Sequence, residues 1–304
     1  MSLAPVVVFS YNRPGHLRRT LDALAKNDLA QDSVLYIFCD GPKNDATEEQ
    51  RQRVIENRKV AHAATGFKEV HVVEREKNVG LKDNVVNSVT EIVNRYDRVI
   101  TLEDDVVTSV GFLRYMNDAL DCYKNEEKVM HVSGYMWPHH GRLPETFFFE
   151  VPYPGGGWAT WGRAWKYYND DVACLYEFWK NDWDTFNKFG GDYLQRQLID
   201  NYNGLLNTWF IKWHAIMLKR GGLTLYPHTS LTNNIGFDVD ATNCLVTTKF
   251  DVGDLASHVA VNPIEIKENK NAARKIYDFY QGHWYNRRRR RQLVSKVMKK
   301  LKMS

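Results

Sequence analysis

Cysteine is scarce in this chain, and its four copies (Cys39, Cys122, Cys174 and Cys244) lie far apart with no CxxC pair. That spacing argues against a structural zinc site and fits reduced thiols in a cytoplasm. Long apolar runs are missing too: nothing approaches the ~18–20 consecutive apolar residues of a membrane-spanning helix. No basic stretch leads into an apolar one near Met1, so no secretory leader is expected. The first turn is not GxGxxG and there is no GxxxxGK[ST], which disfavours dinucleotide oxidoreductases and P-loop NTPases. A GxSxG elbow is absent, and only His139 and His140 are adjacent among the histidines. Neither a serine hydrolase nor a free-standing zinc site gains support.

Most of the chain also lacks a positive excess. Arg287 to Arg291, Lys296, Lys299, Lys300 and Lys302 give the tail +9 of a net +4, leaving −5 for the rest. A nucleic-acid-binding body is therefore not indicated, and no specific nucleic-acid partner is expected. At 304 residues, 43% hydrophobic and 26% charged, the chain has the composition of a globular protein with a sizeable core.

What is present is a strand–helix alternation. Val6 to Phe9, Val34 to Cys39, Val70 to Val73 and Val99 to Leu102 are β-rich runs, and helical patterns separate them. Such alternation implies βαβ units and a mostly parallel sheet flanked by helices. Each run ends in a polar cluster: Ser10 to Arg13, Asp40, Asn78 to Leu81, and Glu103-Asp104-Asp105. In a doubly wound sheet those ends share the edge where ligands bind. Three adjacent carboxylates repel one another unless a cation or proton neutralises them. The triplet is either a solvated acidic turn or a site for Mg²⁺ or Mn²⁺, whose hard oxygen ligands it supplies. The later block Gly155 to Trp165 (GGGWATWGRAW) combines glycines that allow close backbone approach with tryptophans that suit sugar faces or a core.

Taken in order, these segments resemble a nucleotide-sugar glycosyltransferase of the GT-A fold, in the family 2 style. VVVFSYNRP (Val6 to Pro14), IFCDGP (Ile37 to Pro42), NVGL (Asn78 to Leu81) and TLEDDV (Thr101 to Val106) look like its nucleotide-holding turns and metal motif. The E-D-D form is similar to that of the eukaryotic N-acetylglucosaminyltransferase that starts complex N-glycans. GGGWATWGRAW, NTWFIKW (Asn207 to Trp213) and LYPHTSLTNNIGFDVDATNC (Leu225 to Cys244) resemble the acceptor-side motifs of bacterial members. The resemblance implies a GT-A (Rossmann-like) α/β fold: a nucleotide-sugar part over 1–110, an elaborated acceptor part over 111–270 and a basic tail over 271–304.

It further implies donor contacts at Phe9, Ser10, Tyr11, Asn12, Arg13, Asp40, Asn78, Gly80, Leu81 and Asp104. Metal ligation falls to Asp105 with Glu103, and acceptor contact to Gly157, Trp158 and Trp161. Two positions depart from the pattern. Asn207 stands where relatives carry an aspartate able to act as base, and asparagine takes up no proton usefully at pH 7. Asn243 stands where many relatives have histidine. The base is then sought at Asp238 first and Asp240 second, or either residue merely caps a turn. Arg13 suits phosphate or ribose oxygens, or is a surface arginine at a turn.

The expected activity is an inverting, Mn²⁺- or Mg²⁺-dependent transfer of a sugar from a nucleotide-sugar, a UDP-sugar first, to a glycan or lipid-linked acceptor. It would serve surface polysaccharide or lipopolysaccharide synthesis. A catalytically silent glycan- or nucleotide-binding module is the alternative, with a sugar-phosphate nucleotidyltransferase behind it. In the tail, Leu293, Val294, Val297, Met298 and Leu301 make one apolar helical stripe among lysines. That is the pattern of an anchor on the anionic inner face of the plasma membrane, of a helix docked on the body, or of a non-specific RNA contact.

Overall fold

The computed structural model describes residues 2–188, 192–237 and 247–280. Its first half alternates β1 (Val6–Ser10), α1 (Pro14–Leu24), β2 (Val34–Cys39), α2 (Glu48–His62), β3 (Glu69–Glu74), α3 (Gly80–Tyr96) and β4 (Arg98–Glu103). The second half continues with β5 (Val106–Thr108), α4 (Phe112–Cys122), β6 (Val129–Ser133), β7 (Thr146–Phe149) and β8 (Trp158–Trp161). Then follow α5 (Gly162–Trp165), α6 (Val172–Trp179), α7 (Trp183–Phe186), α8 (Asp192–Tyr202), α9 (Trp209–Lys219), β9 (Leu223–Pro227) and β10 (Thr232–Asn234). Helical backbone also covers 270–280.

Local sequence explains the boundaries. Pro14 at the first position of α1 has no N–H to leave unpaired, and Leu17, Leu21 and Leu24 form its buried stripe. Thr47 and Gln50 close a reciprocal capping box at α2. Asp97, left-handed at φ 63°, ends α3 and hands the chain to β4. β1 is buried along its whole length, as a central parallel strand covered on both faces must be.

Eight strands form one sheet in the order β3-β2-β1-β4-β8-β6-β9-β7. The pairs β2·β3, β1·β2, β1·β4 and β6·β9 are parallel, and the others antiparallel. The expected α/β architecture, a mostly parallel sheet flanked by helices, is what the structure has. Strand alternation sends Val6, Val8, Ile100 and Leu102 to the face covered by α1 and α4. Val7, Phe9 and Val99 go to the opposite face, under α3 and α9. A two-stranded ribbon, β5 with β10, stands beside the sheet.

The tryptophan block goes inside. Trp158 is 2% exposed and stacks between His131 and Trp209, each 5.1 Å away. Trp161 is equally buried and its indole N–H donates to the Leu120 carbonyl at 3.0 Å. Gly157 adopts φ +69°, which favours glycine, and is closely packed: a Cβ would meet Leu102 at 3.0 Å and Phe112 at 3.1 Å. The three residues expected to touch the acceptor, Gly157, Trp158 and Trp161, are all buried here. Strand pairing of Trp158 with Thr101 and of Trp161 with Arg98 turns these residues into core, which is where large aromatics gain most.

Candidate active site

β1 is followed by β2 on one side and has β4 on the other, so the connections leaving β1 and β4 diverge between them. At such a switch point the carboxyl edge of a sheet opens a crevice for ligands. The turn after β1 delivers Arg13 there, and the end of β4 delivers Asp104 and Asp105. Arg13 Nη2 donates to Asp104 Oδ1 at 2.7 Å and to Asp105 Oδ2 at 2.8 Å. The Tyr11 backbone N–H donates to Asp104 Oδ2 at 3.4 Å, and the Thr20 hydroxyl to the Asp104 carbonyl at 2.8 Å.

The ribbon closes the other side. Asn234 Nδ2 donates to Asp105 Oδ1 at 3.2 Å and to the Gly155 carbonyl at 3.0 Å, while the Ile235 N–H reaches the Asp105 carbonyl at 2.8 Å. A Cβ on Gly236 would lie 2.0 Å from Asp105 Oδ2, so any other residue there pushes the carboxylate aside. Asn234 and Gly236 belong to the NNIGFD stretch, but the sequence carries no signal that they reach Asp105. That contact spans 129 positions and exists only because β10 pairs with β5.

Electrostatics follow from this crowding. Burial works to lower the Arg13 pKa, but Asp104 and Asp105 more than compensate, so the guanidinium stays charged. Burial, then Asp105 and Asp104, push Glu103 up to about 8 despite Arg13. Asp104 is also raised, by burial and by Asp105, with Arg13 opposing. Phe9 lies opposite Glu103 in the β1·β4 register, so Glu103 shares the α3 and α9 face of the sheet.

The other residues expected to contact the donor take several places along this edge. Phe9 is 3% exposed core. Ser10 is buried, its hydroxyl accepting from Asn57 at 3.0 Å and pointing to Cys39. Asp40 spends both carboxylate oxygens locally. Oδ1 accepts from the Gly41 and Val79 N–H groups at 2.8 and 2.9 Å, and Oδ2 from the Gly80 N–H and Asn78 Nδ2 at 3.0 Å each. A carboxylate offers about four acceptor positions, so none is left for a base or ribose. Asp40, Asn78 and Gly80 thus form the cap of α3, which has no side-chain cap of its own. Leu81 is 44% exposed at the rim, and Tyr11 and Asn12 stay half-buried in the turn.

Asn207 belongs to a network the sequence did not announce. Lys212, 5% exposed at its side chain, donates to Asn207 Oδ1 at 3.4 Å and to Asp170 Oδ1 at 2.7 Å. Lys82, in the first turn of α3, reaches Asp170 Oδ2 at 2.5 Å. Burial tends to raise the Asp170 carboxyl, yet the two lysines hold it below the usual carboxylate range. Asp170 thereby straps the loop after α5 to α3 and α9, and an open cleft of about 350 Å³ lies beside it against Thr90 and Trp165. Asp238, Asp240, Asn243 and residues 281–304 of the basic tail lie outside the described residues.

No protein-family model matches the chain, and no curated protein matches it. Among solved structures it is similar to S. aureus TarS, at 18% identity and a TM-score of 0.31 over 48% of this chain and 25% of that one. A second TarS structure, of 1-349, gives 12% identity and a TM-score of 0.39 over 77% of this chain and 60% of that one. The chain thus spans a quarter of one and three-fifths of the other, and its function has to be argued from the site itself.

Proposed function

We propose that this chain is a GT-A glycosyltransferase of family 2 type. It would move a sugar from a nucleotide-sugar to a glycan or lipid-linked acceptor, with inversion, in surface polysaccharide or lipopolysaccharide synthesis. The observation that carries this is the meeting of Arg13, Asp104 and Asp105 at the β1/β4 switch point, closed by Asn234. A diphosphate leaving group needs cationic partners near the sheet edge, and both an arginine fork and oxygen ligands for a cation stand there.

The donor set fits Mn²⁺ or Mg²⁺ in kind, being carboxylate oxygen throughout, although no cluster of three ligating side chains is found among the described residues. Asp105, with Glu103 and Asp104 beside it, would hold the ion, which supplies charge stabilisation on the departing diphosphate. Arg13 would bind phosphate oxygens bidentately. With Asp40 committed to α3, a uridine preference rests on Asn12 and on backbone groups. The acceptor hydroxyl still needs a carboxylate to take its proton, and Asp238 and Asp240 remain the candidates. The tail, with its arginines and lysines beside an apolar stripe, would bring the enzyme to an anionic membrane surface.

A thermal-shift series with UDP-, GDP-, dTDP- and CMP-sugars, each with and without Mn²⁺, tests this. One nucleotide should shift the melting temperature only with Mn²⁺, and Asp105→Ala should erase the shift. The alternative, a silent glycan-binding module, is favoured by Asn207 facing Lys212 in the base position. It predicts no Mn²⁺-dependent nucleotide shift at all.

A further inference from the structure

The neutralising cation that three adjacent acids require is already part of the chain. One Arg13 nitrogen bridges one oxygen of Asp104 and one of Asp105, at 2.7 and 2.8 Å. The other two oxygens are held as well, Asp104 Oδ2 by the Tyr11 N–H and Asp105 Oδ1 by Asn234. Arg13 is not a casual surface side chain. It is 17% exposed, its own carbonyl accepts the Leu17 N–H that opens α1, and its Nη1 would lie 3.0 Å from a Cβ placed on Gly236.

A divalent ion entering between these carboxylates would meet a guanidinium at hydrogen-bonding distance from both. Two like charges that close in a partly buried site repel strongly, so the ion binds well only if the guanidinium leaves. The group that can draw it away is a diphosphate, whose paired oxygens match the guanidinium fork as well as a carboxylate does.

We propose that Arg13 is the resident counter-cation of the Asp104–Asp105 pair. As a positioning residue it holds the divalent ion off until a nucleotide diphosphate takes the guanidinium over. Ion and nucleotide then bind cooperatively, each raising the affinity of the other by the same factor. This inference rests on the proposed cation role of Asp105, so the test separates the two.

Binding of Mn²⁺ alone, without nucleotide, is measured on the full chain by the electron paramagnetic resonance signal of the free ion. Wild type, Arg13→Gln, Arg13→Lys and Asp105→Asn are compared, each first checked for a cooperative thermal transition. Arg13→Gln should bind Mn²⁺ at least roughly tenfold more tightly than wild type, the loss of one close cation. Arg13→Lys, which keeps the charge on a shorter, more strongly hydrated group, should fall between, and Asp105→Asn should bind most weakly. Should Arg13→Gln not fold, the wild-type to Arg13→Lys difference carries the test alone. Equal or weaker binding by the Arg13 variants, with Asp105→Asn still impaired, overturns the counter-cation role and leaves the cation site standing. Indistinguishable, negligible binding by all four overturns the cation site itself, and this inference with it.

Discussion

Gly236 sets the tightest tolerance at the residue scale. Its backbone passes so near Asp105 Oδ2 that a Cβ would stand 2.0 Å away, and its φ is not in the left-handed region. The demand for glycine there is one of space, and the neighbour that would have to give is the carboxylate proposed to hold the cation. Gly236→Ala should leave the melting temperature within a few degrees of wild type, yet weaken Mn²⁺-dependent nucleotide binding by roughly tenfold or more, as small displacements in a positioned site do. Titration of the stabilising nucleotide by thermal shift measures this, and wild-type affinity in Gly236→Ala would show that Asp105 is not in the site.

At the scale of elements, Asp40 shows how a functional signature becomes a joint. It ends β2 and its carboxylate receives the Val79 and Gly80 N–H groups at the start of α3, groups that would otherwise lack partners. The Asn78 side chain ties the same turn to Asp40 and to the Gly41 carbonyl. Removing a buried carboxylate with four donors should cost about 3 kcal/mol, since each orphaned buried donor carries a desolvation penalty of its own. Urea unfolding of Asp40→Ala should show that loss. An unchanged midpoint, with nucleotide binding abolished, would return Asp40 to the donor site. The tryptophan block is the same lesson on the other flank: Trp158 of β8 stacks on Trp209 of α9, and Trp165 of α5 lies tilted against both.

For the whole molecule, buried ionisable groups set the pH range of stability. Glu103 is pushed up to about 8, so between its ordinary value near 4.5 and 8 the folded chain keeps a proton that the unfolded chain has lost. Rising pH therefore costs stability across that window. Below about 6.5 the opposite contribution enters. Burial lowers His131 to about 3 and His214 to about 4, so the unfolded chain takes up protons that the folded chain refuses. The two trends oppose each other from 4.5 to 6.5, and from 6.5 to 8 Glu103 acts without the histidines. Unfolding free energy of the metal-free protein should fall across that upper window by about 1 kcal/mol per pH unit, and Glu103→Gln should flatten the slope. Chemical denaturation at half-unit pH steps provides the check, and a flat wild-type profile would mean that Glu103 is ionised in the folded protein.

The sequence by itself determined the elements of the nucleotide-side half and the edge at which its polar clusters lie. Buried parallel strands are written as continuous β-branched and aromatic runs, and the helices between them as amphipathic stripes. It also marked Asp104 and Asp105, as adjacent acids that repel one another unless a cation or proton neutralises them, and Arg13, as a turn arginine whose fork suits phosphate oxygens. Only the tertiary structure decided what each polar residue does with its hydrogen bonds. Local pattern cannot tell whether Asp40 faces a ligand or a neighbouring helix, or whether Trp158 faces a sugar or His131. Those outcomes depend on which strand lies alongside, and the partners come from far along the chain. The Asp105–Asn234 contact, 129 positions apart, exists only once β10 has paired with β5.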